Sequence, residues 1–247
     1  MLDIRDIHVC TEDGAEVVRG VSLSVRPGEL VVLMGPNGSG KSSFLNAVAG
    51  HPSYRISAGG ILCDGKDITH AAPDEKAKAG IMLSPQTPPE LEGVRLLPLL
   101  SRAHEALSGE KRAILELKKD IEESARASGI DAGFLSRFVH HGLSGGEKKQ
   151  AEMLSLLALS PAYCLLDEID SGVDVDALQK IVRGIELLRG RGSGILLVTH
   201  AAKTSALLSP ERVFVMDGGR IVREGTAALA EEIERKGFIG RTPAKKS

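Results

Sequence analysis

The spacing of apolar and polar positions changes several times along the chain, and each change predicts a different element. Residues 2–9 and 17–25 alternate or run apolar with β-branched side chains, and Glu12-Asp-Gly14 between them is a turn signal, so they predict a hairpin. Pro27-Gly28 ends it. Leu30-Val-Val-Leu-Met34 is then uniformly apolar and predicts a buried strand, followed by a helix over Ser43-Phe-Leu-Asn-Ala-Val-Ala49. Residues 60–64 and 79–84 predict two short strands. From Pro85 to about residue 142 long charged segments with helical spacing take over. The clearest is Glu110–Ser128, where Ile114, Leu117, Lys118 and Ile121 form a stripe at i, i+3 and i+7 with Lys and Glu elsewhere.

After residue 159 strands return at Tyr163–Leu166, Gly194–Thr199 and Arg212–Met216, with a helix over Asp174–Arg189 between the first two. Strands alternating with helices predict a parallel sheet with right-handed crossovers. Asp217-Gly-Gly219 and Arg220–Glu224 predict a closing hairpin, 226–236 a last helix, and Arg241–Ser247 a frayed basic tail. The expected architecture is α/β. One domain spans 1–240, with a mostly parallel core sheet, an N-terminal antiparallel β subdomain, and a helical subdomain inserted at about 87–158; 241–247 is the tail.

Composition narrows the partners. At 247 residues the chain is long enough for one large domain or a core with subdomains. A formal net charge of −2 gives no basic footprint, so no nucleic-acid partner is expected. No apolar run approaches the ~20 residues that span a bilayer, and Met1-Leu-Asp-Ile-Arg5 already reads as a strand without a secretory or transit pattern. A cytoplasmic location and no direct membrane insertion are the expectation. Cys10, Cys63 and Cys164 lie far apart without metal-ligand spacing and read as small, partly buried hydrophobes.

The chemistry begins at Gly35-Pro36-Asn37-Gly38-Ser39-Gly40-Lys41-Ser42-Ser43, which fits G-x-x-x-x-G-K-[ST] between a predicted strand and a predicted helix. Glycines let successive N–H groups curl around an anion, the helix N-terminus adds its positive end, and Lys41 supplies a mobile charge to the outer phosphates. The Ser42 hydroxyl is the expected Mg²⁺ ligand. Hydrolysis needs a second metal ligand and a means of activating water. Leu165-Leu166-Asp167-Glu168 ends an apolar strand in two carboxylates: Asp167 to hold Mg²⁺ through water, and Glu168 to orient or deprotonate the attacking water. His200 ends the strand Ile195–Thr199, where ligands bind in open α/β sheets, and is expected to donate to the γ-phosphate. Gln86, just past Ile81-Met-Leu83, is placed to touch both Mg²⁺ and the water.

Leu143-Ser144-Gly145-Gly146-Glu147 carries two readings. Ser144-x-x-Glu147 is a capping box. The two glycines exceed what capping needs and leave the helix amides bare as another anion site. One nucleotide loop has no evident use for a second phosphate cradle unless it serves another molecule's nucleotide, which points to a head-to-tail pair sharing two ATPs. Leu107-Ser-Gly-Glu-Lys111 looks similar but has one glycine fewer and no acidic strand end about twenty residues later, so it is read only as a helix start.

In order and spacing these segments resemble the ATP-binding-cassette (ABC) ATPases, over nearly the whole chain. The resemblance implies a P-loop NTPase fold, and a Ser144-Gly-Gly signature capping the γ-phosphate held by the partner of a transient, ATP-dependent homodimer. It also implies a loop, Ser171-Gly-Val-Asp174, crossing the dimer interface. Transport ATPases usually read Asp-Glu-Pro-Thr-Ser-Ala-Leu-Asp after the acidic strand. This chain has Asp167-Glu-Ile-Asp-Ser-Gly-Val-Asp-Val-Asp-Ala-Leu178, and with Ser144-Gly-Gly-Glu-Lys-Lys149 and Pro85-Gln-Thr-Pro-Pro-Glu-Leu-Glu-Gly-Val94 it resembles the SufC branch, the ATPase of the Suf iron–sulfur cluster assembly machine. That likeness implies SufB- and SufD-like scaffold partners. The alternative is the nucleotide-binding subunit of a transporter with a separate permease. A DNA-repair cassette is disfavoured, since those usually carry long coiled-coil or zinc insertions. Two departures stand out. Cassettes often stack adenine on an aromatic in the N-terminal hairpin, and Cys10-Thr-Glu-Asp13 offers none; Val173 and Gln150 stand where the SufC branch commonly has Leu and Arg.

Overall fold

The N-terminal alternation forms β1 (Leu2–Thr11) and β2 (Glu16–Val25), paired antiparallel. The computed structural model describes residues 1–199, 204 and 207–238; His200 and the tail at 241–247 lie outside the described residues. Next come β3 (Leu30–Met34), α1 (Lys41–Ala49), β4 (Tyr54–Cys63), β5 (Lys66–Asp67), α2 (Pro73–Lys78), β6 (Ile81–Ser84), β7 (Leu91–Arg95), α3 (Leu96–Ser108) and α4 (Ile114–Ser128). A 3₁₀ turn (Ala132–Ser136), β8 (Phe138–Val139), α5 (Gly145–Leu159), β9 (Tyr163–Asp167), α6 (Val175–Gly190), β10 (Gly194–Val198), β11 (Arg212–Asp217), β12 (Arg220–Gly225) and α7 (Ala227–Lys236) complete the described elements.

The core sheet runs β12-β11-β3-β10-β9-β6, parallel throughout except for the β11–β12 hairpin. Its central strands β3 and β10 carry no polar side chain and are buried throughout because both faces are covered. Leu30, Val32 and Met34 pack with α3–α6 on one side, while Val31 and Leu33 pack with α1 and the antiparallel sheet β2-β1-β4-β5 on the other. The same split divides Cys164 and Leu166 from Tyr163 and Leu165 on β9. All five parallel strands therefore present their carboxyl ends to one edge.

Three expectations need correcting. The segment 60–64 is only the end of β4, a ten-residue strand paired to β1. Gly59, just inside the missed half of the strand, fits a bulge in β1 at Asp6: it has φ +83, and a Cβ there would lie 2.2 Å from the Asp6 carbonyl oxygen. Leu107–Lys111 closes a helix rather than opening one. Gly109 sits at φ +73 as the C-cap of α3, its N–H on the Glu105 carbonyl, and α4 starts only at Ile114. Within α4, Leu117 and Ile121 are buried but Ile114 is exposed. The short helix α2 and the β7–β8 ladder have no counterpart in the sequence reading.

Candidate active site

The loop between β3 and α1 is shaped by its neighbours. Gly35 has φ +155, and a Cβ on it would lie 2.1 Å from the Met216 carbonyl of β11; one on Gly40, at φ +103, would lie 2.6 Å from the Val17 carbonyl of β2. Gly219, in the β11–β12 turn, donates its N–H to the Ser39 carbonyl at 3.0 Å. The loop is thus pressed between two sheets, and only glycine fits at its tightest points. Gly40 is also the N-cap of α1, so no side chain covers the first amides of that helix. Gly38 has φ +78 with nothing near its missing Cβ and faces open space.

A cavity of about 480 Å³ opens over this loop, lined by Asn37, Gly38, Gly40, Lys41, Ser42, Ser43, Gln86, Glu168 and Ser171. The Lys41 ammonium donates to the Gly35 and Pro36 carbonyls, 2.9 Å each. Burial pulls its pKa below the ordinary lysine range, opposed by the Glu168 and Asp167 carboxylates. Ser42 Oγ, in the first turn of α1, donates to Asp167 Oδ1 at the end of β9, 3.2 Å away. Burial raises the Asp167 carboxyl above its usual range and the Glu168 carboxylate adds to this, while the Ser42 hydrogen bond works against it. A divalent cation beside these oxygens would relieve that penalty. The donor set fits Mg²⁺, a hard ion that takes few protein oxygens and completes its shell with water and phosphate. Among the described residues there is no cluster of three or more His, Cys, Asp or Glu that would suit a dedicated protein cage.

Gln86 Nε2 donates to Glu168 Oε2 at 2.7 Å. The structure therefore gathers Asn37, Gly38, Gly40–Ser43, Gln86, Glu168 and Ser171 around one cavity, with Asp167 hydrogen-bonded to Ser42 beside it. It does not bring Leu143–Glu147 there: that segment opens α5, with Ser144 Oγ accepting the Glu147 N–H at 3.3 Å and Glu147 Oε2 accepting the Ser144 N–H at 2.8 Å, the expected capping box. Gly145 and Gly146 have ordinary helical backbones, and a Cβ on Gly145 would meet nothing within 4 Å. Asp174 caps α6, accepting the Ala177 N–H at 2.7 Å.

Sequence reasoning missed two residues at this edge. Lys149 of α5 is buried and donates to the Pro85 carbonyl at 3.2 Å and the Gln86 carbonyl at 2.6 Å, tying the helix of the Ser-Gly-Gly segment to the glutamine loop. Burial lowers its pKa against the pull of Glu152, Asp167, Glu168 and Asp170. Asp170 accepts a hydrogen bond from Thr199. A lysine within Glu147-Lys-Lys149 reads as solvated helix surface, and only the fold turns one of the pair inward.

Comparison with known proteins agrees with this geometry. Residues 18–171 match the family model described as ABC transporter. A probable ABC transporter ATP-binding protein of Streptococcus pyogenes serotype M3 is 38% identical over 242 residues, covering 97% of this chain and 94% of that protein. The probable ATP-dependent transporter ycf16 of Cyanophora paradoxa is 39% identical over 242 residues, covering 96% and 93%. The fold matches the dimeric post-hydrolysis state of an ATP-binding cassette bound to ADP and Pi with a TM-score of 0.79, at 22% identity and 92% and 99% coverage. A P-loop pinned between two sheets, an acidic strand end beside it and relatives matched nearly end to end agree: the chain belongs to the ATP-binding-cassette family and is an ATPase.

Proposed function

We propose that two copies of this chain close head to tail around two Mg²⁺–ATP, hydrolyse them, and use the closure to drive a separately encoded partner. Gly145 carries the pairing. Neither its backbone angles nor any neighbour in its own chain demands glycine, and glycine opposes helix formation there. Its missing side chain is accounted for by a close approach from outside, as a second copy's nucleotide would make. In this reading Lys41 and the loop amides hold phosphate, and Ser42, Asp167 and Gln86 hold the metal, which when bound supplies charge neutralisation on the phosphates. Glu168 orients or deprotonates the water, and His200 donates to the γ-phosphate. Ser171 and Asp174 lie on the loop meeting the other copy.

Two partner classes fit. The stretches Asp167–Leu178 and Ser144–Lys149 support a SufB/SufD-like scaffold in iron–sulfur cluster assembly. The printed names of the relatives, ABC transporter ATP-binding proteins and an ATP-dependent transporter, favour the other reading, the ATP-binding subunit for a membrane permease. No helix among the described residues is long and apolar enough to cross a membrane, so transport would need a separate membrane protein. In either reading the partner seats just past Gln86, where the β7–β8 ladder exposes Leu91, Val94 and Phe138.

Glu168→Gln with ATP should stall hydrolysis and run as a dimer on size exclusion; a monomer at saturating ATP rejects the pairing. Affinity capture of the native assembly then separates the partners: a scaffold protein recovered without detergent supports the Suf reading, and a polytopic membrane protein recovered only with detergent supports the permease.

A further inference from the structure

Past Asp167 the chain leaves the core sheet abruptly. Glu168 has φ +52, a left-handed conformation that a residue with a side chain holds only where its surroundings over-determine it. Its N–H donates to the Val198 carbonyl at 2.9 Å, and the Ser171 N–H donates back to the Glu168 carbonyl at 3.0 Å, closing a turn. Ile169 is fully buried in the helical-side core. A polar fastening joins these: Thr199 Oγ1 donates to Asp170 Oδ2 at 2.5 Å, with Thr199 fully buried and Asp170 partly so. The carboxylate makes this a charge-assisted bond, shorter and stronger than a neutral one. Immediately beyond it Ser171, Gly172 and Asp174 are exposed.

We propose that Asp170 is a positioning residue for hydrolysis. Its bond to Thr199 locks the turn so that Glu168 faces the phosphate cavity while Ser171–Asp174 project toward a second copy; the latter part rests on the paired reading above. Asp170 touches neither nucleotide nor water. It acts through the geometry of Glu168 and through Thr199, the residue that follows β10. Without the bond, the Glu168–Val198 backbone link and the buried Ile169 still hold the strand end, but the turn beyond them loosens and productive alignment of the Glu168 carboxylate becomes less populated.

The test is a double-mutant cycle on the full chain, reading steady-state ATPase activity. Asp170→Ala and Thr199→Val should each lower kcat about tenfold with KM for ATP within about twofold, and the double variant should be no slower than the worse single, as for two ends of one bond. Thr199→Ser, which keeps the hydroxyl, should stay within about twofold of wild type. Melting temperature recorded alongside identifies any variant that fails to fold, and Thr199→Ser against Thr199→Val then decides alone. Multiplicative losses in the double variant, a Thr199→Ser as slow as Thr199→Val, or a rise in KM at unchanged kcat would each overturn the assignment. Pairing is read separately: Glu168→Gln that stays monomeric with ATP defeats the paired reading, and the kinetic cycle still judges Asp170. Where Glu168→Gln does pair, adding Asp170→Ala should weaken ATP-dependent dimerisation about tenfold.

Discussion

The two glycine-rich segments at the nucleotide edge differ in what requires their glycines. In Gly35–Gly40 the demand is internal: β2 and β11 press so closely that a methyl group at Gly35 or Gly40 would collide with a backbone carbonyl. In Ser144-Gly145-Gly146 no such demand exists within the chain, and a methyl group on Gly145 would sit in open space. One loop is built by the fold to hold a ligand. The other, in the paired reading proposed above, is stripped of side chains for a ligand held by a second copy. Substitutions at equivalent-looking glycines should therefore fail in different ways.

The largest effect is expected at Gly35. Gly35→Ala adds a Cβ 2.1 Å from the Met216 carbonyl at φ +155. Overpacking costs about 1–3 kcal/mol and a disallowed backbone about as much again. Chemical denaturation should show a loss of about 2–6 kcal/mol together with loss of ATP binding. A Gly35→Ala protein of wild-type stability would erase the contrast. Gly145→Arg is the counterpart. It replaces glycine in the first turn of α5 with a better helix former, so the melting temperature should hold or rise slightly. ATP binding by the isolated subunit should persist, while turnover falls about a hundredfold because the side chain blocks closure. If Gly145→Arg hydrolyses ATP normally, the segment is only a helix cap.

The far end of α1 shows how deep the internal bracing of the first loop goes. Lys76 of α2 is buried and donates to the Ala47 and Val48 carbonyls at 3.3 and 3.0 Å, placing an ammonium at the C-terminus of the helix that begins at Lys41. A cation there suits the helix dipole. Burial nevertheless lowers its pKa from 10.5 to about 8. Between these values the unfolded chain binds the proton and the folded chain does not, so stability from this group rises with pH through that window and is flat below it. From pH 7.5 to 9.5 the gain is about 2 kcal/mol, or about 4–8 °C in melting temperature for a chain of this size. Lys76→Met should lose the slope. Parallel pH profiles for wild type and variant would show that Lys76 titrates as an ordinary exposed lysine and braces nothing.

What was legible in the sequence follows the same division between local and distant causes. Gly35–Ser43, Asp167 and Glu168 could be placed because each lies on a short motif at the end of an apolar strand, and a motif fixes its own surroundings. The Asp170–Thr199 bond spans 29 positions and the Lys149 contacts span 63 and 64, so neither leaves a local trace. Leu107–Lys111 misled because Ser-Gly-Glu fits a helix start as well as an end; the deciding fact, Gly109 at positive φ, belongs to the backbone. β4 was half missed because Gly59 answers to a bulge in β1 more than fifty residues earlier.

The smallest effect, and the finest test of the contrast, concerns the base. The first loop presents bare amides and the Lys41 ammonium, groups suited to phosphate, and the cavity lining holds none of the chain's five Phe and two Tyr. In the β1–β2 turn Thr11 Oγ1 donates to Asp13 and the Thr11 N–H to the Ala15 carbonyl at 3.0 Å, so the turn is closed on itself without offering a ring. Val17 of β2, whose backbone carbonyl abuts the loop at Gly40, is aliphatic and partly buried. Stacking on an aromatic is worth about 1–3 kcal/mol per base in nucleic-acid binders, and a site without it should bind through phosphate and metal alone. Calorimetry on the monomer should therefore give ATP and GTP affinities within about threefold of each other, both weaker than about 1 μM, since that affinity already takes about 8 kcal/mol. Submicromolar ATP binding with clear rejection of GTP would reveal a base site on the P-loop side. The first loop would then recognise a whole nucleotide and not only its phosphates.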